Sequence, residues 1–165
     1  MLRSRQTEVR RDRETIARSD DHRALRVWLR LFTCKQLMER QVRARLRERF
    51  GTTLPRFDLM SQLERHPEGL KMNELSRLLM VSGGNVTGIV DQLAGKGLVE
   101  RLPKPEDRRA FRIRLTRAGD RAFAEMAREN ERWIVGLLAG LTQREHDELL
   151  KLLAKVKRHA VEATS

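Results

Sequence analysis

Apolar residues recur along this chain every three to four positions, except in one short stretch where they alternate with arginine. The helical period is clear at Leu75, Leu78 and Leu79 within Met72–Leu79, and at Val86, Ile89, Val90 and Leu93 within Gly83–Gly95. Two helices are predicted there, joined by the tight turn Met80-Val81-Ser82. Opposite the apolar stripe of the second helix stand Asn85, Thr87, Gly88, Asp91 and Gln92, all small or hydrogen-bonding. Beyond residue 95 the period changes. Residues 98–102 and 111–115 read as strands around a loop at 103–109, and Phe111-Arg112-Ile113-Arg114-Leu115 alternates strictly, as a half-buried strand requires.

The flanking segments are helical. Residues 1–19 are polar and arginine-rich without a sustained apolar period and read as a flexible N-terminal tail. A first helix is expected from the capping cluster Ser19-Asp20-Asp21 to Phe50, where Gly51 stops it. Its Leu25, Val27, Trp28, Leu29, Leu31, Phe32, Leu37 and Met38 fall around most of the circumference. Such a helix is covered on more than one side, and a second subunit is the expected cover. Residues 55–66, with Pro55 in the first turn, form a helix that buries Phe57, Leu59, Met60 and Leu63, and Pro67-Glu68-Gly69 breaks it. After the hairpin, Thr116 is placed to cap a long helix running to about residue 139. Thr142 with Glu145 matches a capping box that opens a last helix, residues 143–161, with leucines at 149, 150, 152 and 153. The predicted class is mainly α with a small β-hairpin wing. Helix, turn, helix and cationic hairpin describe a winged helix-turn-helix over residues 55–115, inside one domain of residues 20–160 whose helices 21–50 and 117–161 are left for dimerisation.

Composition narrows the function. A chain of 165 residues with 39% hydrophobic content suits one domain with a real core. No apolar run approaches bilayer length and the N-terminus is charged, so a cytoplasmic location with no membrane partner is expected. The single cysteine, Cys34, cannot form a disulfide within the chain, and with four scattered histidines it offers no metal-ligand spacing. An enzyme is not expected: no nucleophile sits near a base, and His22, His66, His146 and His159 are dispersed. No cofactor is implied. Net charge is +12, and two stretches concentrate it. Residues 101–114 carry six cations against Glu106 and Asp107, and residues 35–49 carry six against Glu39 and Glu48. The first lies on the hairpin, where a polyanion would meet it, and double-stranded DNA is the expected partner. A non-specific architectural DNA-binding protein would use the same charge; sequence preference separates the two.

The segments LKMNELSRLLMVSGGNVTGIVDQLAGKGLVER and LPKPEDRRAFRIRLTRAG, between a long helix and two C-terminal helices, resemble the MarR transcriptional regulators over about residues 21–159. The most specific features are GLVER entering the hairpin, Asp107-Arg108-Arg109 at its tip, and LTRAG leaving it. Lys71 departs from the pattern, standing where many relatives carry a hydroxyl cap. The resemblance implies a homodimer on a pseudo-palindromic operator, commonly a repressor released by a ligand. Ser82, Gly84, Asn85, Thr87 and Gly88 would enter the major groove, Asn85 pairing with adenine and Thr87 meeting a thymine methyl or a phosphate. Gly88, costing about 1 kcal/mol in a helix interior, either permits close backbone approach to DNA or is a tolerated surface glycine. Asp107 would hold Arg109 extended into the minor groove, while Arg101, Lys104, Arg108, Arg112 and Arg114 would meet phosphates.

The implied effector pocket, between the DNA-binding lobe and the dimerising helices, would draw on Trp28, Phe32, Phe57 and Met60, residues that equally suit plain core. The neighbouring cations Lys35, Arg40, Arg43 and Arg47 suit a small anionic aromatic effector. LPRFDLMSQLERHPEGLKM and VSGGNVTGIV are similar to the branch that governs aromatic-acid catabolism, some of whose members respond to aryl-CoA thioesters, whose phosphates these cations would hold. Peroxide sensing through Cys34, activated by Arg30 and Lys35, is the competing regulatory idea. The chain has no tyrosine, which peroxide-sensing relatives use around their cysteine.

Overall fold

The computed structural model describes residues 22–104 and 107–163, of which 104 and 107–110 by their backbone alone. The elements run α1 (Arg23–Phe50), α2 (Leu54–Glu64), β1 (Leu70–Lys71), α3 (Met72–Leu79), α4 (Gly83–Gly95), β2 (Val99–Lys104), β3 (Asp107–Leu115), α5 (Arg117–Leu138) and α6 (Gln143–Glu162). Mostly helical with a small antiparallel sheet, the chain has the expected fold class. The tail at 1–19 and the Ser19-Asp20-Asp21 cluster lie outside the described residues, and α1 opens at Arg23 without a side-chain cap.

The sheet has three strands in the order β1-β3-β2, not the two of a simple hairpin. Leu70 pairs with Ile113 and Lys71 with Arg112, which makes β3 the central strand. Gly69 is what admits β1: its φ is +82, and a Cβ there would stand 2.9 Å from the Ile113 carbonyl oxygen. The wing is also longer than the alternation indicated. Its ladder continues through Pro103↔Phe111 to Lys104↔Asp107, with an irregularity between Pro103 and Lys104. A proline is tolerated there because β2 is an edge strand.

The anticipated caps form. Gly51 closes α1 in the left-handed region, its N–H donating to the Arg47 carbonyl at 3.1 Å. The Thr116 hydroxyl accepts from the Gly119 N–H at 3.0 Å and donates to the Gly97 carbonyl at 2.7 Å, tying the head of α5 to the base of the wing. Glu145 accepts from the Thr142 N–H at 2.7 Å to open α6. At α3, Glu74 takes the Lys71 N–H at 2.7 Å, so that helix starts firmly without a hydroxyl cap. The same bond holds the Glu74 carboxyl below its usual range.

Leu59, Leu63, Leu75, Val90, Leu93 and Ile113 are fully buried where α2, α3, α4 and the sheet converge. Phe57 and Phe123, 5.4 Å apart, seat this unit on α5. The C-terminal part of α1 docks on α5 through Phe50 and Trp133, 6.3 Å apart, with the Arg45 guanidinium 5.8 Å over the indole and an Arg49–Glu129 ion pair alongside. Elsewhere the terminal helices are uncovered. Only Val42 and Leu46 of α1 are buried, Trp28 is 60% exposed, and α6 buries nothing, with Leu150 66% exposed.

Candidate nucleic-acid interface

Burial of Val86, Val90 and Leu93 fixes the rotation of α4 and leaves Ser82, Gly84, Asn85, Thr87 and Gly88 exposed on its N-terminal half. The Thr87 hydroxyl donates back to the Gly83 carbonyl at 3.1 Å, so its methyl and its lone pairs remain for outside contacts. A Cβ added at Gly84 or Gly88 would meet nothing within 4 Å, so no contact inside the subunit demands glycine at either place.

Two residues of that outward face have partners of their own. Gln92 Oε1 accepts from Arg56 Nε at 2.9 Å and Nη2 at 2.6 Å, which fastens α4 to α2. Asp91 forms an ion pair with Arg101, which fastens α4 to β2. These contacts position the helix, and the exposed residues of its N-terminal half, 82–85, 87 and 88, are left without such ties to a neighbouring element.

On the wing, Arg114 donates to Glu100 at 2.6 Å across the Glu100↔Arg114 rung. Arg112 has a partner within the subunit. Its register opposite Lys71 sets the half-buried side chain over the turn before β1, and Nη1 donates to the Gly69 carbonyl at 2.7 Å. Arg112 therefore braces the sheet through one of its five N–H donors, a role that the expected phosphate contact did not include. The side chains of Lys104, Asp107, Arg108 and Arg109, and with them the anticipated Asp107–Arg109 brace, lie outside the described residues.

The residues expected to share one effector pocket are divided within the subunit. Trp28 and Phe32 stack on each other, 6.2 Å apart, on the uncovered half of α1. Met60 is fully buried core. Arg40 and Arg43 line an open groove on α1 itself, and Arg47 lies exposed in its last turn. Lys35 and Phe57 both line a shallow cleft of about 350 Å³ between α1, α2 and α5, together with Glu39, Asp58 and Asn130. Glu39 draws Lys35 and Arg43 into ion pairs, and these partners hold its carboxyl below its usual range. Burial pushes the Asp58 carboxyl above its usual range. The side-chain oxygen of Asn130 is buried without a hydrogen-bond partner, a feature nothing in the sequence pattern signalled. Cys34 is exposed on α1. Among the described residues no cluster of His, Cys, Asp and Glu could hold a metal, and no helix is long and apolar enough to cross a membrane.

The MarR family profile matches residues 52–111. A MarR family transcriptional regulator from Silicibacter pomeroyi is similar in structure, with a TM-score of 0.70 and 30% identity over 89% of this chain and 99% of that one. A cysteine-to-serine variant of Escherichia coli MarR complexed with operator DNA has a TM-score of 0.69 and 26% identity, covering 84% of this chain and 98% of its own. The transcriptional activatory protein BadR of Rhodopseudomonas palustris is 29% identical over 143 residues, 82% of this chain and 81% of that protein.

Proposed function

The chain belongs to the MarR family and is a DNA-binding transcriptional regulator, and on that premise we propose that it works as a homodimer on a pseudo-palindromic operator and is released from it by a small anionic aromatic effector. One observation carries the DNA-facing part: α4 buries its apolar stripe and exposes Ser82, Gly84, Asn85, Thr87 and Gly88 beside an arginine-bearing wing. In this reading Asn85 and Thr87 meet base edges, Arg101, Lys104, Arg108 and Arg114 meet phosphates, and Arg109, steadied by Asp107, enters the minor groove. The bare surfaces at Gly84 and Gly88 let the backbone come close to the duplex. A two-fold pair is supported by the apolar residues that α1 and α6 leave uncovered, Trp28, Phe32 and Leu150 among them.

The experiment is fluorescence anisotropy on a duplex selected from a random-sequence library. A regulator prefers that duplex over random DNA by about a thousandfold or more, and Asn85→Ala and Arg109→Ala each abolish most of the preference. Equal affinity for both duplexes would make the protein architectural.

In this reading the effector enters the cleft beside Phe57, where the buried Asn130 oxygen lacks a donor, and Lys35 exchanges its ion pair with Glu39, on the same wall, for the effector's charge. For an aryl-CoA thioester, the specific candidate, Arg40, Arg43 and Arg47 would receive the phosphates. Isothermal titration with benzoyl-CoA and hydroxycinnamoyl-CoA decides it: binding of a free phenolic acid with no binding of the thioesters removes that candidate. Repression is the primary reading of the output. The similarity to a protein named a transcriptional activator favours activation as the second, and a reporter carrying the selected operator gives the sign.

A further inference from the structure

We infer that Met80 is a base-reading residue, its thioether side chain packing against thymine methyl groups at the entrance to the major groove. The inference rests on α4 being the helix that enters that groove. Helix α3 closes with paired backbone bonds, Val81 N–H to the Ser76 carbonyl at 3.2 Å and Met80 N–H to the Arg77 carbonyl at 3.3 Å. That cap throws Met80 to φ 54 and ψ 40, the left-handed position glycine ordinarily fills. Among the described residues no other non-glycine has positive φ. An L side chain is strained there, and methionine lacks the short polar group with which asparagine or aspartate offsets the strain.

Packing does not explain the choice, because Met80 is 93% exposed. The strained residue therefore gains nothing inside its own subunit. Its position points to the occupant: two residues later Ser82 is the N-cap of α4, and Gly83 and Gly84 follow without side chains. Met80 thus stands in the turn that leads into α4, two residues before its N-cap, and every residue from Met80 to Asn85 is exposed. A long, flexible, uncharged and polarisable side chain has nothing to offer a phosphate. It fits the one apolar feature of the major groove, the 5-methyl of thymine. A second copy of the chain is the less suitable occupant, since α1 and α6 already offer it uncovered apolar faces.

The test uses the full chain and the library-selected duplex. Met80→Gly relieves the strain and removes the side chain. Met80→Gln keeps the length and the backbone but ends in a polar group, and Met80→Leu stays apolar. Met80→Gly should melt at or above the wild-type temperature, yet bind the selected duplex about tenfold more weakly. Its affinity for random DNA and its salt slope should be unchanged. Met80→Gln should lose as much affinity, and Met80→Leu should stay within about twofold of wild type. Replacing thymines one at a time with uracil should reveal one position that weakens the wild type but not Met80→Gln. The inference is overturned if Met80→Gln binds the selected duplex as tightly as wild type, if its loss is equal on random DNA, or if every uracil substitution is additive with it. Asn85→Ala on the same duplex separates the failures. A loss there with none at Met80 removes only this inference, whereas no loss at either removes the groove-reading role of α4.

Discussion

Replacing Gly119 with alanine adds one methyl group where the chain has no room for it. Gly119 is in the first turn of α5, against Leu98 just before β2, whose carbonyl receives the Thr116 N–H at 3.1 Å. A Cβ at Gly119 would overlap the Leu98 carbonyl oxygen, lie 3.0 Å from the carbon that bears it, and sit 3.2 Å from Leu115 Cδ2. Two of those neighbours are backbone and cannot rotate aside. Relief requires α5 and the base of the wing to separate, loosening the Thr116–Leu98 bond. Overpacking of this kind costs about 1–3 kcal/mol, while the better helix propensity of alanine returns at most about 1 kcal/mol. The net expectation is destabilisation of about 1–2 kcal/mol, a melting temperature lower by roughly 2–8 °C for a chain of this size. Because the strand that shifts carries the wing, affinity for the selected duplex should fall as well. Circular dichroism melts and anisotropy titrations read the two effects. The propensity term alone predicts the opposite sign, so an alanine variant that melts at or above the wild-type temperature refutes the clash.

Three further outcomes follow from features described above. Leu150→Arg, on the uncovered face of α6, should shift the protein towards single subunits in light scattering and weaken operator binding by more than about tenfold; an unchanged mass would move the interface elsewhere. Burial raises the Asp58 carboxyl above 3.8, so the folded chain binds that proton more tightly than the unfolded one, and stability is lost as pH rises through the interval above 3.8. Asp58→Asn should therefore raise the melting temperature near neutral pH, with the gain vanishing once both states are protonated in acid; a gain that persists there would point to packing instead of charge. Arg112→Ala removes the donor to the Gly69 carbonyl and should cost about 1–2 kcal/mol in urea unfolding. Its salt slope for DNA should stay at the wild-type value; a slope flattened by about one unit with unaltered stability would return Arg112 to the phosphates.

Where local chemistry decides an element, the sequence was legible to the residue. The bounds of α3 and α4 follow from the leucine and valine periods and the Met80-Val81-Ser82 turn. Thr116 and Thr142 opened their helices because a hydroxyl three residues from a free N–H is a local event. The strand β1 was not legible: two residues cannot display an alternation, and Leu70 is a strand only because Ile113 lies opposite. For the same reason the alternation in Phe111–Leu115 marks Arg112 as outward-facing without disclosing that a third strand supplies an acceptor there. Residue type and helical spacing group the effector candidates but cannot tell that Met60 turns into the core while Trp28 stands uncovered on α1. Nothing in the sequence marks Asn130, because its unmet oxygen is a property of the packed structure.

The side-chain ties on either flank of α4 set how the protein can be governed. Arg56 holds Gln92 and Arg101 holds Asp91, so α4 is tied by side chains to α2 on one flank and to the wing on the other, with Phe57 packed beneath against α5. In the proposed two-fold assembly a ligand in the cleft beside Phe57 would not have to reshape that unit; moving one recognition helix relative to its twin, against the fixed pitch of the double helix, would be enough to lose the operator.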